Sequence, residues 1–307
     1  MRRAGIDVGG TKILGVVVDD AGVVVAEVRR ATPVGPPAII AALSDVAREL
    51  GEHDSLGVGV PGLVTRSGVL RSSPHLAGVE ELDLGRRLAE LFGRDVPVDN
   101  DATCAALAEW QVGAGRGVSD LVVVTLGTGI GGGIVSDGRL QRGRNGFAGE
   151  FGHMVVVPDG LACPCGRRGC WERYAAGTGL AQLARDALGG RPRSMMLELA
   201  GGSVELVRGE HVQAAARSGD GLALEVIDRF ARWVAIGLVN LANALDPSRF
   251  VIGGGLAATA DLYLGPITSW FHELLYAPEL RPHPPIVAAE LGEYAGAIGA
   301  AMLGAHR

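Results

Sequence analysis

The 307-residue sequence has a single lysine, Lys12, only four cysteines, and nowhere a run of about 18 apolar residues. Each shortage excludes something. With no long apolar run, no membrane-spanning helix is expected. There are 28 basic against 34 acidic side chains, a net charge of −6 with no basic run. That balance argues against a non-specific nucleic-acid binder and offers no electrostatic hold on anionic membranes. Four cysteines, three of them between Cys163 and Cys170, make a poor disulfide framework and suit metal binding in a reducing compartment. Met1-Arg2-Arg3 has the charge of a secretory leader, but Asp7 and Gly9-Gly10 leave no apolar stretch behind it. A soluble, cytoplasmic protein is the expectation. Glycine is the excess: 48 residues against a usual share of about 7%. Many tight turns and close backbone approaches follow from it. A hydrophobic content of 48% is enough for a proper core.

The opening reads as strand (4–8), glycine turn, strand (13–18), a turn at Asp19-Asp20-Ala21-Gly22, and strand (23–28). A proline-rich loop then precedes an amphipathic helix over 38–50. Strand 56–60 ends in Pro61-Gly62, and strand 96–98 runs into Asp99-Asn100-Asp101 and a helix to about Val112, with Asn100 or Asp101 as its cap. The chain then repeats its opening: strand 121–124, turn Gly127-Thr128-Gly129, strand 132–135, turn Ser136-Asp137-Gly138. Two such hairpins suggest duplicated α/β halves facing each other across a cleft. Val226, Phe230, Val234, Leu238 and Leu241 form one apolar face of a helix over 222–245, a core stripe ended by Asp246-Pro247. Residues 195–210 read as a looser surface excursion. No linker stands out, so two lobes must exchange chain segments or pack closely.

Three glycine-rich turns each follow an apolar strand: Asp7-Val8-Gly9-Gly10-Thr11, Gly127-Thr128-Gly129-Ile130-Gly131-Gly132-Gly133, and Gly253-Gly254-Gly255. Glycine lets backbone N–H groups converge on phosphate oxygens without a Cβ in the way, although hairpins also use such turns for geometry alone. Together, with Asp7 in the first, they suggest a nucleotide held across two lobes. Gly127-x-Gly129-x-x-Gly132 matches the dinucleotide fingerprint, but a strand follows where that fold needs a helix. Residues 5–12 nearly spell a P-loop but end Gly-Thr-Lys, again before a strand. Both motifs are rejected. Lys12 has two readings, a phosphate ligand or one lysine surviving in an arginine-biased chain.

Nine residues separate His153 from Cys163, and Cys163-Pro164-Cys165-Gly166-Arg167-Arg168-Gly169-Cys170 follows. One imidazole and three thiolates make a closed tetrahedral Zn²⁺ site, structural because no position is left open. Cys104 reads as a small buried hydrophobe. Asp101, between a strand and a helix, is either a rigidly held catalytic base or a simple cap. Zinc would draw Glu150 and Glu172 together, so that both could line a polar pocket that reads hydroxyl groups.

With these motifs the sequence resembles the ROK family (repressors, uncharacterised reading frames and sugar kinases), and within it the actinobacterial ATP-dependent glucokinases. The resemblance rests on Asp7-x-Gly9-Gly10-Thr11, Gly59-Val60-Pro61-Gly62, Asn100-Asp101-Ala102, Leu126-Gly127-Thr128-Gly129-x-Gly131-Gly132-Gly133, and Gly149-Glu150-x-Gly152-His153 leading to the cysteines and Glu172. It implies an α/β, actin-like ATPase fold of the sugar kinase and heat-shock-protein type, with a zinc-bearing loop in the larger lobe. A smaller N-terminal lobe would take residues 1–110 plus 293–307, including a returning helix over 295–304, and the larger lobe 111–292. The resemblance makes Asp101 the catalytic base and places Gly62, Asn100, Glu150, His153 and Glu172 at the sugar. Asp7, Gly9, Gly10, Thr11, Lys12, Gly127, Thr128, Gly129 and Gly131 would hold the phosphates, and Gly254 and Gly255 the adenosine. His153 would serve both zinc and sugar.

The implied reaction is phosphoryl transfer from Mg-ATP to the 6-hydroxyl of glucose, by a homo-oligomer. Kinases for N-acetylmannosamine, N-acetylglucosamine or fructose, and polyphosphate as donor, are the neighbouring alternatives. A sugar-responsive repressor is the alternative of another class, and Asp7 leaves no room ahead of it for a helix-turn-helix. Two departures from the family pattern stand out. Ser73-Pro74-His75-Leu76-Ala77-Gly78-Val79 replaces the usual Ser-Pro-Asn-Leu-x-x-Trp, and Asp99 stands where glutamate is common.

Overall fold

The computed structural model describes residues 1–189 and 193–305. The chain opens with β1 (Arg3–Val8), β2 (Lys12–Val18), β3 (Val24–Ala31), α1 (Pro36–Glu49) and β4 (Ser55–Val60). A small meander follows, β5 (Leu63–Val64), β6 (Val69–Ser72) and β7 (Glu80–Asp83), then α2 (Leu84–Phe92), β8 (Val98–Asn100) and α3 (Asp101–Val112). Next come β9 (Leu121–Leu126), β10 (Ile130–Ser136), β11 (Arg139–Gln141), α4 (Glu172–Ala175), α5 (Gly177–Leu188), α6 (Met195–Leu199), α7 (Gly209–Arg217) and α8 (Gly221–Leu245). The chain closes with β12 (Arg249–Gly253), α9 (Ala260–Leu274), β13 (Ile286–Ala288) and α10 (Ala295–Met302). No helix among the described residues is long and apolar enough to cross a membrane.

The two five-stranded sheets share one plan, β3–β2–β1–β4–β8 and β11–β10–β9–β12–β13. In the first, β1, β2 and β3 pair antiparallel, while β1–β4 and β4–β8 are parallel. In the second, β10–β11 is likewise antiparallel and β12–β13 parallel. The repeated opening of the sequence is therefore a repeated strand order. Two compact units result: Met1–Val123 with Gly132–Gly149 and Ala289–Arg307, and Val124–Gly131 with Glu150–Ala288. The chain passes between them several times, which is why no linker is visible.

In the first unit, strand alternation sorts the side chains onto two faces. Ala4, Ile6 and Val8 meet Ile39, Leu43 and Val46 of α1, which recur at helical spacing. Leu14, Val16 and Val18 meet Leu107 and Ala108 of α3 and Ala297 and Ile298 of α10. On β1 the residues facing α10 are Gly5 and Asp7. A Cβ at Gly5 would lie 2.0 Å from the Ala297 carbonyl, and one at Gly296 would lie 2.6 Å from Asp7 Oδ2. The small residues of α10 thus bring its backbone against the sheet and against the one carboxylate there.

The second unit is built on α8, whose stripe of Val226, Phe230, Val234, Leu238 and Leu241 is buried as its spacing predicts. Asp246, in the left-handed conformation at φ 45°, stops the helix before Pro247. The segment 195–210 is more ordered than expected. Met196 of α6 is fully buried, and Asp220 ties Ser194 Oγ (2.9 Å) and the Met195 N–H (2.7 Å) to the start of α8. Five residues of helix are too few for periodicity to reveal. The strands of β5–β7, two to four residues each, escaped the sequence reading for the same reason.

Candidate active site and metal centre

In the first unit the parallel strands β1, β4 and β8 end side by side, with Asp7 opposite Gly59 and Val60 opposite Asn100. Carboxyl ends of parallel strands are where α/β folds collect ligand-binding groups. Here they bring together Asp7, Gly62, Asn100 and Asp101. A Cβ on Gly59 would stand 3.5 Å from Asp7 Oδ1 and 3.6 Å from Asp101 Cα, so glycine alone separates the two acidic residues. Asn100, not Asp101, caps α3. Its backbone is extended (φ −66°, ψ 142°) and its Oδ1 accepts the Thr103 N–H at 3.0 Å. Its Nδ2 donates to the Gly62 carbonyl at 3.2 Å. Asp101 is the first helical residue, with Oδ1 accepting the Ala102 N–H at 2.8 Å.

The two carboxyls sit in a poorly solvated place. Burial first, then the charge of Asp101, pushes Asp7 up to about 7, with Lys12 opposing. Burial likewise raises Asp101, against the stabilising Ala102 hydrogen bond. Asp7 Oδ1 is buried and has no hydrogen-bond partner. Such an atom is costly unless something else satisfies it. The neighbouring turn is tight: the Gly9 N–H donates to Lys12 O at 2.8 Å, and Thr32 Oγ1 donates to Gly9 O at 2.7 Å. Gly10 packs beneath His75, whose carbonyl would be 3.3 Å from a Cβ there, so the divergent Ser73–Val79 loop lies over this turn. Lys12 has a protein partner. Its Nζ donates to Glu293 Oε2 at 2.6 Å, and Arg29 grips both oxygens of Glu293 at 2.9 Å. Those contacts, Arg29 foremost, hold Glu293 down at about 2. Nothing in the sequence signalled that pairing.

In the second unit the Gly127–Gly131 turn is closed by Gly127 N–H to Gly129 O at 3.0 Å. Two other segments converge on it. Gly254, at φ 81°, has no room for a Cβ, which would lie 2.5 Å from Leu126 O, and Gly255 follows it. The Gly177 N–H at the start of α5 donates to Gly127 O at 2.9 Å. Gly177-Thr178-Gly179 was missed in the sequence reading, although three residues bearing two glycines ahead of a helix were the available signal. Thr128, Gly129 and Gly131 lie on the same turn. Glu172, which opens α4, reaches back to it, its Oε2 accepting the Ile130 N–H at 3.2 Å.

His153, Cys163, Cys165 and Cys170 offer four ligand atoms all within 4.8 Å of one another. Cys165 and Cys170 Sγ are 3.6 Å apart, and Cys163 Sγ is 3.9 Å from His153 Nδ1. Tetrahedral zinc with thiolates at about 2.3 Å requires sulfur atoms about 3.8 Å apart, so the donor set and its spacing fit. Burial pushes the Cys163 thiol up to about 12, a value that a bound cation would reverse by taking the thiolate. The other histidine nitrogen, Nε2, is 4.0 Å from Glu150 Oε2. Glu172 Oε1 is 3.6 Å from Cys163 Sγ. The cluster therefore gathers Glu150, His153 and Glu172, three of the residues expected at the sugar.

The ROK family model matches residues 3–307. A glucokinase of Streptomyces coelicolor is 39% identical over 305 residues, covering 97% of this chain and 96% of that protein. Among solved structures, a ROK family glucokinase from Streptomyces griseus in complex with glucose and AMPPNP superposes with a TM-score of 0.89 at 39% identity, covering 99% of both chains. An N-acetylmannosamine kinase of Escherichia coli is 32% identical over 99% of this chain and 98% of its own.

Proposed function

The chain belongs to the ROK family, and on that premise we propose that it is an ATP-dependent glucokinase, transferring the terminal phosphoryl group of ATP to the 6-hydroxyl of glucose. The observation that carries the proposal is the pair of desolvated carboxyls, Asp101 on the first turn of α3 and Asp7 with an unpartnered oxygen, on a chain so similar to a glucokinase that binds glucose and AMPPNP.

Asp101 is the general base. Burial raises its proton affinity above that of an ordinary carboxylate, which matches it better to a proton taken at neutral pH. As the hydroxyl oxygen bonds to phosphorus and the bridging P–O bond breaks, the hydroxyl proton passes to Asp101, and ADP leaves with the bond's electron pair. Asn100, Gly62, Glu150, His153 and Glu172 orient the sugar. The backbone N–H groups of the Gly9–Lys12 and Gly127–Gly131 turns bind the phosphates, with Gly254 and Gly255 beside the adenosine. Mg²⁺ arriving with the nucleotide supplies charge neutralisation, and the orphaned Asp7 oxygen is the group suited to face it. Lys12 joins the phosphates only by giving up Glu293.

Zinc at His153, Cys163, Cys165 and Cys170 is structural, because four protein ligands leave no place for water or substrate. Bound there, zinc would set the tautomer of His153, whose Nδ1 lies on the Cys163 side and whose Nε2 lies near Glu150. The proposal includes a cytoplasmic homo-oligomer and the lobe boundaries at 110 and 293. N-acetylmannosamine as substrate is the second reading, on the 32% identity to a kinase of that name. A panel of hexoses against ATP and polyphosphate, with ADP release followed by a coupled assay, separates them. Glucose with ATP should turn over fastest, and faster turnover of N-acetylmannosamine or fructose would reject the assignment.

A further inference from the structure

Beside the carboxyl pair lies an ion pair that no step above uses. Asp99, on β8, is 5% exposed. Its two oxygens have separate partners: Oδ1 accepts the Asn100 backbone N–H at 2.9 Å, and Oδ2 accepts Arg142 Nε–H at 2.5 Å. The Arg142 side chain is itself only 18% exposed. It enters from the residue after β11, at the base of a loop closed by the Ala148 N–H to Arg142 O (3.2 Å) and joined to the β5–β6 hairpin by the Arg66 N–H to Asn145 O (3.3 Å). The guanidinium is therefore held by backbone fixed at both ends of that loop. Gly149 and Glu150 follow directly.

We infer that Arg142 is a positioning residue for Asn100 and Asp101, an inference that rests on the roles proposed for that pair. Arg142 orients the Asp99 carboxylate, and the carboxylate holds the Asn100 N–H. Asn100 in turn holds the Thr103 N–H and the Gly62 carbonyl, and Asp101 is the next residue in the chain. A charged acceptor makes the stronger kind of hydrogen bond, and guanidinium geometry fixes its direction. Because a catalytic group displaced by about 1 Å can lose about 10²-fold in rate, a contact two residues away from the base is close enough to matter. The rival reading is that Arg142 merely neutralises a buried charge, since a buried carboxylate stripped of its partner destabilises the fold.

Two variants separate the readings. Arg142→Met strands the Asp99 charge and should lower both Tm and kcat. Adding Asp99→Asn removes that charge, so the double variant should regain the wild-type Tm. Nothing then orients residue 99, so kcat should stay roughly 10- to 100-fold low and the sugar KM stay raised, with the ATP KM within about twofold of wild type. Recovery of kcat and sugar KM along with Tm would overturn the inference. Amide exchange at Asn100 and Thr103 gives a readout independent of turnover. In the double variant both should exchange at least about tenfold faster than in the wild type. Wild-type exchange rates there would overturn the positioning role even in a protein that phosphorylates glucose. A wild type inactive on every hexose would reject the functional reading while exchange still judged the inference.

Discussion

Replacing Asp101 by asparagine should make the protein more stable and nearly inactive, and both effects follow from the carboxyl pair. Asp7 is pushed up to about 7 from an ordinary 3.8, first by burial and then by Asp101. Between those values the folded state holds a proton that the unfolded chain has released. Stability therefore falls as pH rises from about 4 to about 7, by 1.36 kcal/mol per unit, or about 4 kcal/mol from Asp7 alone. Asp101, also raised, adds to the cost in the same direction. Asp101→Asn removes the like charge and one buried carboxylate, but its amide oxygen can still accept the Ala102 N–H. A gain in stability is expected at pH 8, and each kcal/mol of relief should raise Tm by roughly 2 °C for a chain of this length. The gain should shrink as the pH is lowered and vanish well below about 4, where the wild-type carboxyls are protonated in both states. Losing the base should cost kcat about 10² to 10⁴-fold with little change in sugar affinity. Scanning calorimetry at pH 8 and pH 5, alongside the coupled ADP assay, measures both effects. A variant no more stable than wild type at pH 8 would refute the strained pair. Near wild-type turnover would refute the base.

Elemental analysis should find about one zinc per chain, from the closed donor set at His153, Cys163, Cys165 and Cys170. Cys165→Ser should abolish it and raise the glucose KM about tenfold or more, because Glu150, His153 and Glu172 lose their anchor, with nucleotide affinity less affected. A metal-free preparation with native sugar affinity would break that link. At Gly237, alanine in a helix interior should ordinarily stabilise by about 1 kcal/mol. Here a Cβ would lie 2.0 Å from the ring of Trp171, which is fully buried between Cys170 and Glu172 and donates from Nε1 to Trp233 O at 2.7 Å. Gly237→Ala should therefore lower stability by about 1 to 3 kcal/mol and shift tryptophan emission to the red. A raised Tm would show that the ring has room to yield.

Whatever depends on neighbours in sequence was legible without coordinates. The metal ligands lie within 18 residues of chain, so spacing alone groups them. The α8 stripe from Val226 to Leu241 repeats at helical period over more than four turns, and the glycine turns announce themselves between apolar strands. The duplicated strand order was visible because the same local signals recur. Short elements were not, since two to five residues carry no period. Contacts between distant segments belong to the tertiary structure alone. Asp7 and Asp101 are 94 positions apart in the sequence, and only the parallel pairing of β1 with β4 and β4 with β8 makes them neighbours, so that the charge of Asp101 adds to burial in raising Asp7. The same holds for Lys12 with Glu293 and for Arg142 with Asp99. A side chain's type is local, but its charge state and its partner depend on which strands the fold sets side by side. Asn100 and Asp101 show that division within one dipeptide: either residue type caps a helix, and the extended backbone at Asn100 made it the cap and left Asp101 free for chemistry.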